Sequence, residues 1–182
     1  DGFNSWSHIF SDLTIKEMEN HKKAYLISPA TIKGAGLDDV FAKFPNRSVD
    51  VGIAEEHSMT LASGLSLGGY HPIISIYSTF MQRAFDEISH DLARMNCNAT
   101  ILVDRAGLVG KDGETHQGIY DVSFLVNTPN VVVTMPSTIA EGYALYDESF
   151  NDHGPFFIRL PRAIVKIEKD IKPAAIKFGK WE

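Results

Sequence analysis

Residues 99 to 118 read Ala99-Thr-Ile-Leu-Val-Asp-Arg-Ala-Gly-Leu-Val-Gly-Lys-Asp-Gly-Glu-Thr-His-Gln-Gly118. The first five form an almost wholly apolar run of strand length. The fifteen from Asp104 onward hold four glycines, two further acids, two cations and a histidine. Continuous apolar runs mark strands buried on both faces, as in parallel sheets, whereas half-exposed strands alternate. A loop this long with no structure of its own is uncommon in a compact domain and is usually functional or disordered. Its glycines and ionisable groups, set directly after a buried strand, favour function.

Working outward, the same pattern recurs on both sides. Runs of strand length lie at residues 24–28, 48–53, 72–77, 130–135 and 155–160, which with 99–103 makes six strands. Segments of helical spacing separate them: 6–22, carrying Ile9, Phe10, Leu13, Ile15 and Met18, then 37–44, 56–67, 80–95, 121–126 and 138–150. Strands alternating with helices predict an α/β fold, a three-layer α/β/α arrangement around a mostly parallel six-stranded sheet. Residues 1–165 are assigned to this domain. Residues 166–182, charged and proline-containing, read as a linker toward a C-terminal domain.

Composition narrows the function. The 182 residues suit one domain, and 44% hydrophobic with 22% charged residues is ordinary for a globular protein. A net charge of -6 argues against a nucleic-acid partner, although clustered cations could still bind one small phosphate. No apolar stretch approaches the roughly 20 residues that span a bilayer, and the opening residues carry no secretion signal. Cys97 is the only cysteine, which rules out an internal disulfide or a cysteine-based zinc site. A cytoplasmic location is expected.

In an open parallel sheet, ligands bind outside the carboxyl ends of the strands. Glu55 follows the second expected strand, and Tyr77, Ser78 and Phe80 follow the third. Arg105, Asp112 and His116 follow the fourth, and Arg162 the sixth. These candidates therefore fall on one edge. Two arginines converging there can clamp a phosphate bidentately, and His116 suits acid–base work near neutral pH. Local sequence leaves plainer readings open. Glu55 and Glu56 could be dipole-stabilised acids at a helix start, Phe80 a core residue, and the arginines ordinary surface groups.

Gly52-Ile-Ala-Glu55, Tyr77-Ser-Thr-Phe80-Met-Gln-Arg-Ala-Phe-Asp86, the loop 104–118 and Leu160-Pro-Arg162 together carry a resemblance. They are similar to the central, pyrimidine-binding domain of the 1-deoxy-D-xylulose-5-phosphate synthase family, thiamine-diphosphate enzymes of the transketolase superfamily. The resemblance implies that Glu55 is the catalytic carboxyl that hydrogen-bonds the cofactor pyrimidine, with Phe80 stacked on that ring and Ser78 beside it. Tyr77, Arg105, Asp112, His116 and Arg162 would face substrate, the two arginines holding the phosphate of glyceraldehyde 3-phosphate and His116 also acting in catalysis. Mg2+ and the cofactor diphosphate would be bound through a separate domain bearing Gly-Asp-Gly, a motif that does not occur in these 182 residues. The isolated chain is then expected to be inactive. The whole protein, as a homodimer of N-terminal, central and C-terminal domains, would condense pyruvate with glyceraldehyde 3-phosphate into a precursor for isoprenoid, thiamine and pyridoxal synthesis. Glu56 stands where many relatives carry glutamine. Lys111 stands where they commonly carry alanine, and it is expected to face solvent.

Two alternatives stay open: a split subunit pairing with a separate diphosphate-binding chain, and a non-catalytic binding module. Gly64-Leu-Ser-Leu-Gly68 matches a hydrolase nucleophile elbow, but that motif needs a strand before the serine and a helix after it. Here a helix comes first. His57, His90 and His116 lack metal-ligand spacing.

Overall fold

The computed structural model describes residues 2–167 and 171–177. Its strands are β1 (Phe3–Ser5), β2 (Ala24–Ser28), β3 (Ser48–Asp50), β4 (His71–Tyr77), β5 (Ala99–Ala106), β6 (Val132–Thr134), β7 (Pro155–Pro161) and β8 (Ile164–Lys166). Six of them form a sheet in the order β3-β2-β4-β5-β7-β6, and each neighbouring pair is parallel. Helices α1 (Trp6–Asn20), α2 (Asp38–Lys43) and α7 (Ile139–Glu148) cover one face. On the other lie α3 (Glu55–Leu67), α4 (Ser78–Met81) and α6 (Asp121–Leu125), with α5 (Phe85–Glu87) following α4.

Successive strand residues serve opposite faces, as the pleat requires. Leu26, Ile73, Leu102 and Phe156 pack with Trp6, Phe10 and Tyr146, while Ile27, Ile74, Ile101 and Phe157 pack with Met59, Ile88 and Leu92. Each such side chain contributes roughly 1.5–3 kcal/mol when fully buried. The predicted three-layer fold and its six strands are present. The connection leaving β2 runs outward to β3, and the one leaving β4 runs the opposite way to β5. Their carboxyl ends therefore part at a topological switch point, where crevices form in such sheets.

Two expectations need correction. The helix expected over 80–95 starts at Ser78 and is broken into α4, a tight turn at Gln82–Ala84, α5 and a widened π turn at Ile88–Ala93. The buried spacing Met81, Ala84, Ile88, Leu92 reads as one helix because a change in hydrogen-bond step leaves the apolar face intact. The strand expected over 48–53 stops at Asp50, whose Oδ1 accepts from the Ala30 and Gly52 amides at 2.9 Å each and turns the chain. β1 pairs antiparallel with β8, so residues 164–166 belong to a two-stranded ladder. Of the expected linker, Ile171 and Ile176 pack on the core and the Ala174 amide donates to the Ala140 carbonyl. Residues 168–170 and 178–182 lie outside the described residues.

His71, which opens β4, is stacked on Phe150 at 4.2 Å, with Nε2 2.8 Å from Thr100 Oγ1. Burial, helped by nearby His21, lowers its pKa from 6.5 to about 4. Between those values the unfolded chain takes up a proton that the folded one refuses. Stability from this residue is therefore full above pH 6.5 and declines toward pH 4, by about 3 kcal/mol. Urea melts across this range should show that slope, and His71→Gln should flatten it.

Candidate active site

Glu55 is the first residue of α3, where the helix dipole favours an acid. Its side chain is 2% exposed. Oε1 accepts from Arg83 Nη1 at 2.9 Å, while the buried Oε2 has no hydrogen-bond partner among the described residues. One oxygen is thus anchored and the other keeps its capacity for a further hydrogen bond, an uncommon state for a buried polar atom.

From this carboxylate a continuous set of contacts runs along the sheet edge. The Arg83 guanidinium lies 5.8 Å from the Phe80 ring centre. Phe80 is stacked on Tyr77, with centroids 5.4 Å apart and planes inclined 12°, and meets His116 edge-on at 5.4 Å. Arg105 also sits over the Tyr77 ring, 4.4 Å from its centre, donating from Nη2 to the Tyr77 hydroxyl at 2.8 Å and to the Gly34 carbonyl at 3.1 Å. Burial raises the Tyr77 pKa despite the nearby guanidinium, so its hydroxyl stays protonated. Asp112 then bridges two arginines, with Oδ2 2.9 Å from Arg105 Nη1 and Oδ1 2.9 Å from Arg162 Nε. The first contact is an ion pair by distance, though it lacks hydrogen-bond alignment. Sharing one carboxylate between two guanidiniums leaves capacity for a further anion.

Beside this row opens a cleft of about 470 Å³, lined by Ala30, Lys33, Gly34, Tyr77, Phe80 and His116 among others. It lies at the switch point between β2 and β4. Exposed apolar side chains, Ile53, Leu108, Ile119, Tyr120 and Met135, lie in segments that follow the carboxyl ends of β3, β5 and β6. Lys111 is exposed.

The structure thus groups Glu55, Tyr77, Phe80, Arg105, Asp112, His116 and Arg162. Ser78 is placed differently. It is 1% exposed, its Oγ lies under the loop without a hydrogen-bond partner among the described residues, and a Cβ on Gly118 would come within 2.9 Å of it. Sequence reasoning gave no role to Arg83, although it sits three residues after Phe80 on the same helical face. It also passed over Arg159, a cation in an otherwise apolar strand. Arg159 makes a two-pronged bond to the fully buried Asp121 (2.7 and 3.1 Å) and reaches the Gly118 carbonyl, clamping the far end of the loop.

Gly34 was missed as well. A Cβ there would overlap the Tyr77 hydroxyl and lie 3.4 Å from Arg105 Nη2. Gly34→Ala should therefore push Tyr77 off Arg105 and weaken anion binding by about tenfold, the worth of one charge-assisted hydrogen bond. The melting temperature should change little, because the displaced atom is the end of a side chain. Calorimetric titration with a sugar phosphate, paired with a thermal melt, would check both parts.

Residues 4–167 match the family model for the transketolase pyrimidine-binding domain. The 1-deoxy-D-xylulose-5-phosphate synthase of Geobacillus sp. (strain WCH70) is 44% identical over 98% of this chain, a region that makes up 29% of that protein. The chain spans about 30% of the length of the curated relatives it matches. A solved structure described as a split-gene transketolase, inactive β4 tetramer, is 29% identical with a TM-score of 0.76, covering 93% of this chain and 55% of that one. The transketolase of Leishmania mexicana shares the fold at 17% identity and a TM-score of 0.83, covering 94% of this chain and 27% of its own. This chain belongs to the family of transketolase pyrimidine-binding domains.

Proposed function

We propose that this chain is the pyrimidine-binding domain of a cytoplasmic, homodimeric, thiamine-diphosphate-dependent transferase that condenses pyruvate with glyceraldehyde 3-phosphate, forming 1-deoxyxylulose 5-phosphate and carbon dioxide. The observation that carries this reading is the row of contacts from Glu55 to Arg162 along one edge of the sheet, of which Tyr77, Phe80 and His116 line the adjoining cleft. Its residues suit the cofactor: Glu55 offers a buried, unpartnered Oε2 to a pyrimidine ring nitrogen, and Phe80 offers an aromatic face for stacking. When bound, thiamine diphosphate supplies the nucleophilic carbon and electron sink that decarboxylation of a 2-oxo acid requires. Arg105 and Arg162 hold the phosphate of the acceptor, while Tyr77, Asp112 and His116 orient it and move protons at its carbonyl end. Among the described residues no cluster of three or more His, Cys, Asp or Glu could hold a metal ion. Mg2+ and the diphosphate fall to a separate domain, which also covers exposed apolar side chains such as Ile53, Leu108 and Tyr120. Residues 166–182, of which Lys166 ends β8 and Ile171 and Ile176 pack back on this domain, are proposed as the link to a domain that follows.

A second reading, a subunit acting with a separate diphosphate-binding chain, is favoured by the likeness to the split-gene transketolase. One assay separates the outcomes: carbon dioxide release from labelled pyruvate, with glyceraldehyde 3-phosphate, Mg2+ and cofactor present. The whole protein should turn over at about 1–100 per second, and these 182 residues alone should not. Rescue by a separately expressed Gly-Asp-Gly chain would mark the split form. Ordinary turnover by the domain alone would refute both.

A further inference from the structure

Asp104 is 2% exposed at the end of β5, and nothing in the proposed chemistry uses it. A buried carboxyl is costly unless it is well hydrogen-bonded, so its partners are informative. Oδ1 accepts from the Arg105 amide at 2.9 Å. The Ser7 hydroxyl, in the first turn of α1, lies 3.0 Å from both carboxylate oxygens. Burial raises the pKa of this group, and the Arg105 charge and these hydrogen bonds oppose that shift.

What Asp104 holds is a strained residue. Arg105 has φ +58°, the left-handed region that a side chain with a Cβ disfavours. It sits in an irregularity where β5 advances three residues, Val103 to Ala106, while β7 advances two, Arg159 to Pro161. Bulges of this kind re-aim side chains next to sites. In a regular strand, position 105 would share the sheet face of Val103, against the apolar cluster of Met81 and Ile88. In its actual conformation the guanidinium reaches Tyr77, Gly34 and Asp112.

We infer that Asp104, fixed by Ser7, is a positioning residue that keeps Arg105 in its left-handed conformation and so sets the affinity for the phosphate-bearing substrate without touching it. This rests on the role proposed above for Arg105. The test is calorimetric titration of the whole protein carrying this domain with glyceraldehyde 3-phosphate, together with KM and kcat for each substrate. Asp104→Ala should weaken binding by about 10–100-fold, the worth of hydrogen bonds to a charged group, and should raise KM for that substrate while leaving kcat near its starting value. Asp104→Asn keeps an oxygen acceptor for the Arg105 amide and should recover most of the loss.

The deciding measurement is the double variant. In an Arg105→Ala background, Asp104→Ala should weaken binding no further, because residues acting through one another are not additive. Full additivity, or unchanged binding in Asp104→Ala, would overturn the inference. An Arg105→Ala protein that binds glyceraldehyde 3-phosphate normally would instead overturn the role of Arg105, and the inference with it. Should Asp104→Ala fail to fold, Ser7→Ala serves in its place, with an expected weakening of about threefold to tenfold from one hydrogen bond, again absent in the Arg105→Ala background.

Discussion

Glu55→Gln in the whole protein should lower kcat by about a hundredfold to ten-thousandfold, the usual contribution of a positioned proton-handling group, while the fold stays intact. Glutamine preserves the shape of the side chain and an oxygen that can accept from Arg83 Nη1. What it lacks is an ionisable oxygen at the position of Oε2, which is buried and unpartnered among the described residues. Stability should not suffer, because the substitution removes a buried charge and leaves Arg83, half-exposed at 53%, able to turn to water. Activity and melting temperature are therefore expected to part company. Cofactor binding, followed by calorimetry, should weaken far less than kcat falls, since stacking on Phe80 remains. A variant retaining kcat within about tenfold of the parent would put proton handling elsewhere.

The six strands were legible because a sheet covered on both faces demands continuous apolar runs, and Ala99–Val103 or Pro155–Leu160 can satisfy little else. β1 and β8, short and largely exposed outside that sheet, carry no such signature, and their pairing joins residues 159 to 163 positions apart in sequence. The break between α4 and α5 was hidden by an apolar spacing that survives it. For the site, the strand-end rule brought the candidate side chains to one edge from sequence alone. It could not show which of them touch. Arg83 meets Glu55 across 28 positions, Arg105 meets Gly34 across 71, and Ser7 meets Asp104 across 97. Contacts of that range depend on strand order and on a local bulge, neither of which composition or periodicity encodes. Ser78 illustrates the converse: it lies on the correct edge, yet the start of α4 turns its hydroxyl beneath Gly118.

Arg105→Ala should weaken glyceraldehyde 3-phosphate binding by about a hundredfold or more, as truncation of a buried, hydrogen-bonded charge generally does, with pyruvate affinity changed by no more than about twofold. The guanidinium is held before any ligand arrives. Tyr77 supports it by stacking and a hydroxyl bond, and Gly34 fixes Nη2, leaving Nη1 beside Asp112 and Nε buried without a partner among the described residues. An arriving phosphate competes with a single carboxylate that Arg162 already shares. Little side-chain entropy remains to be lost, which makes the pre-set fork effective. Arg105→Lys keeps the charge but neither the fork nor the flat face over Tyr77, so it should restore only a minor part of the affinity. Arg162→Ala should cost less than Arg105→Ala, because Arg162 is more exposed (36% against 9%) and water screens it. Equal weakening of both substrates in Arg105→Ala would mean general disruption of the cleft. Selective loss of the phosphate ester, graded from alanine through lysine to arginine, is the pattern that a bidentate clamp alone produces.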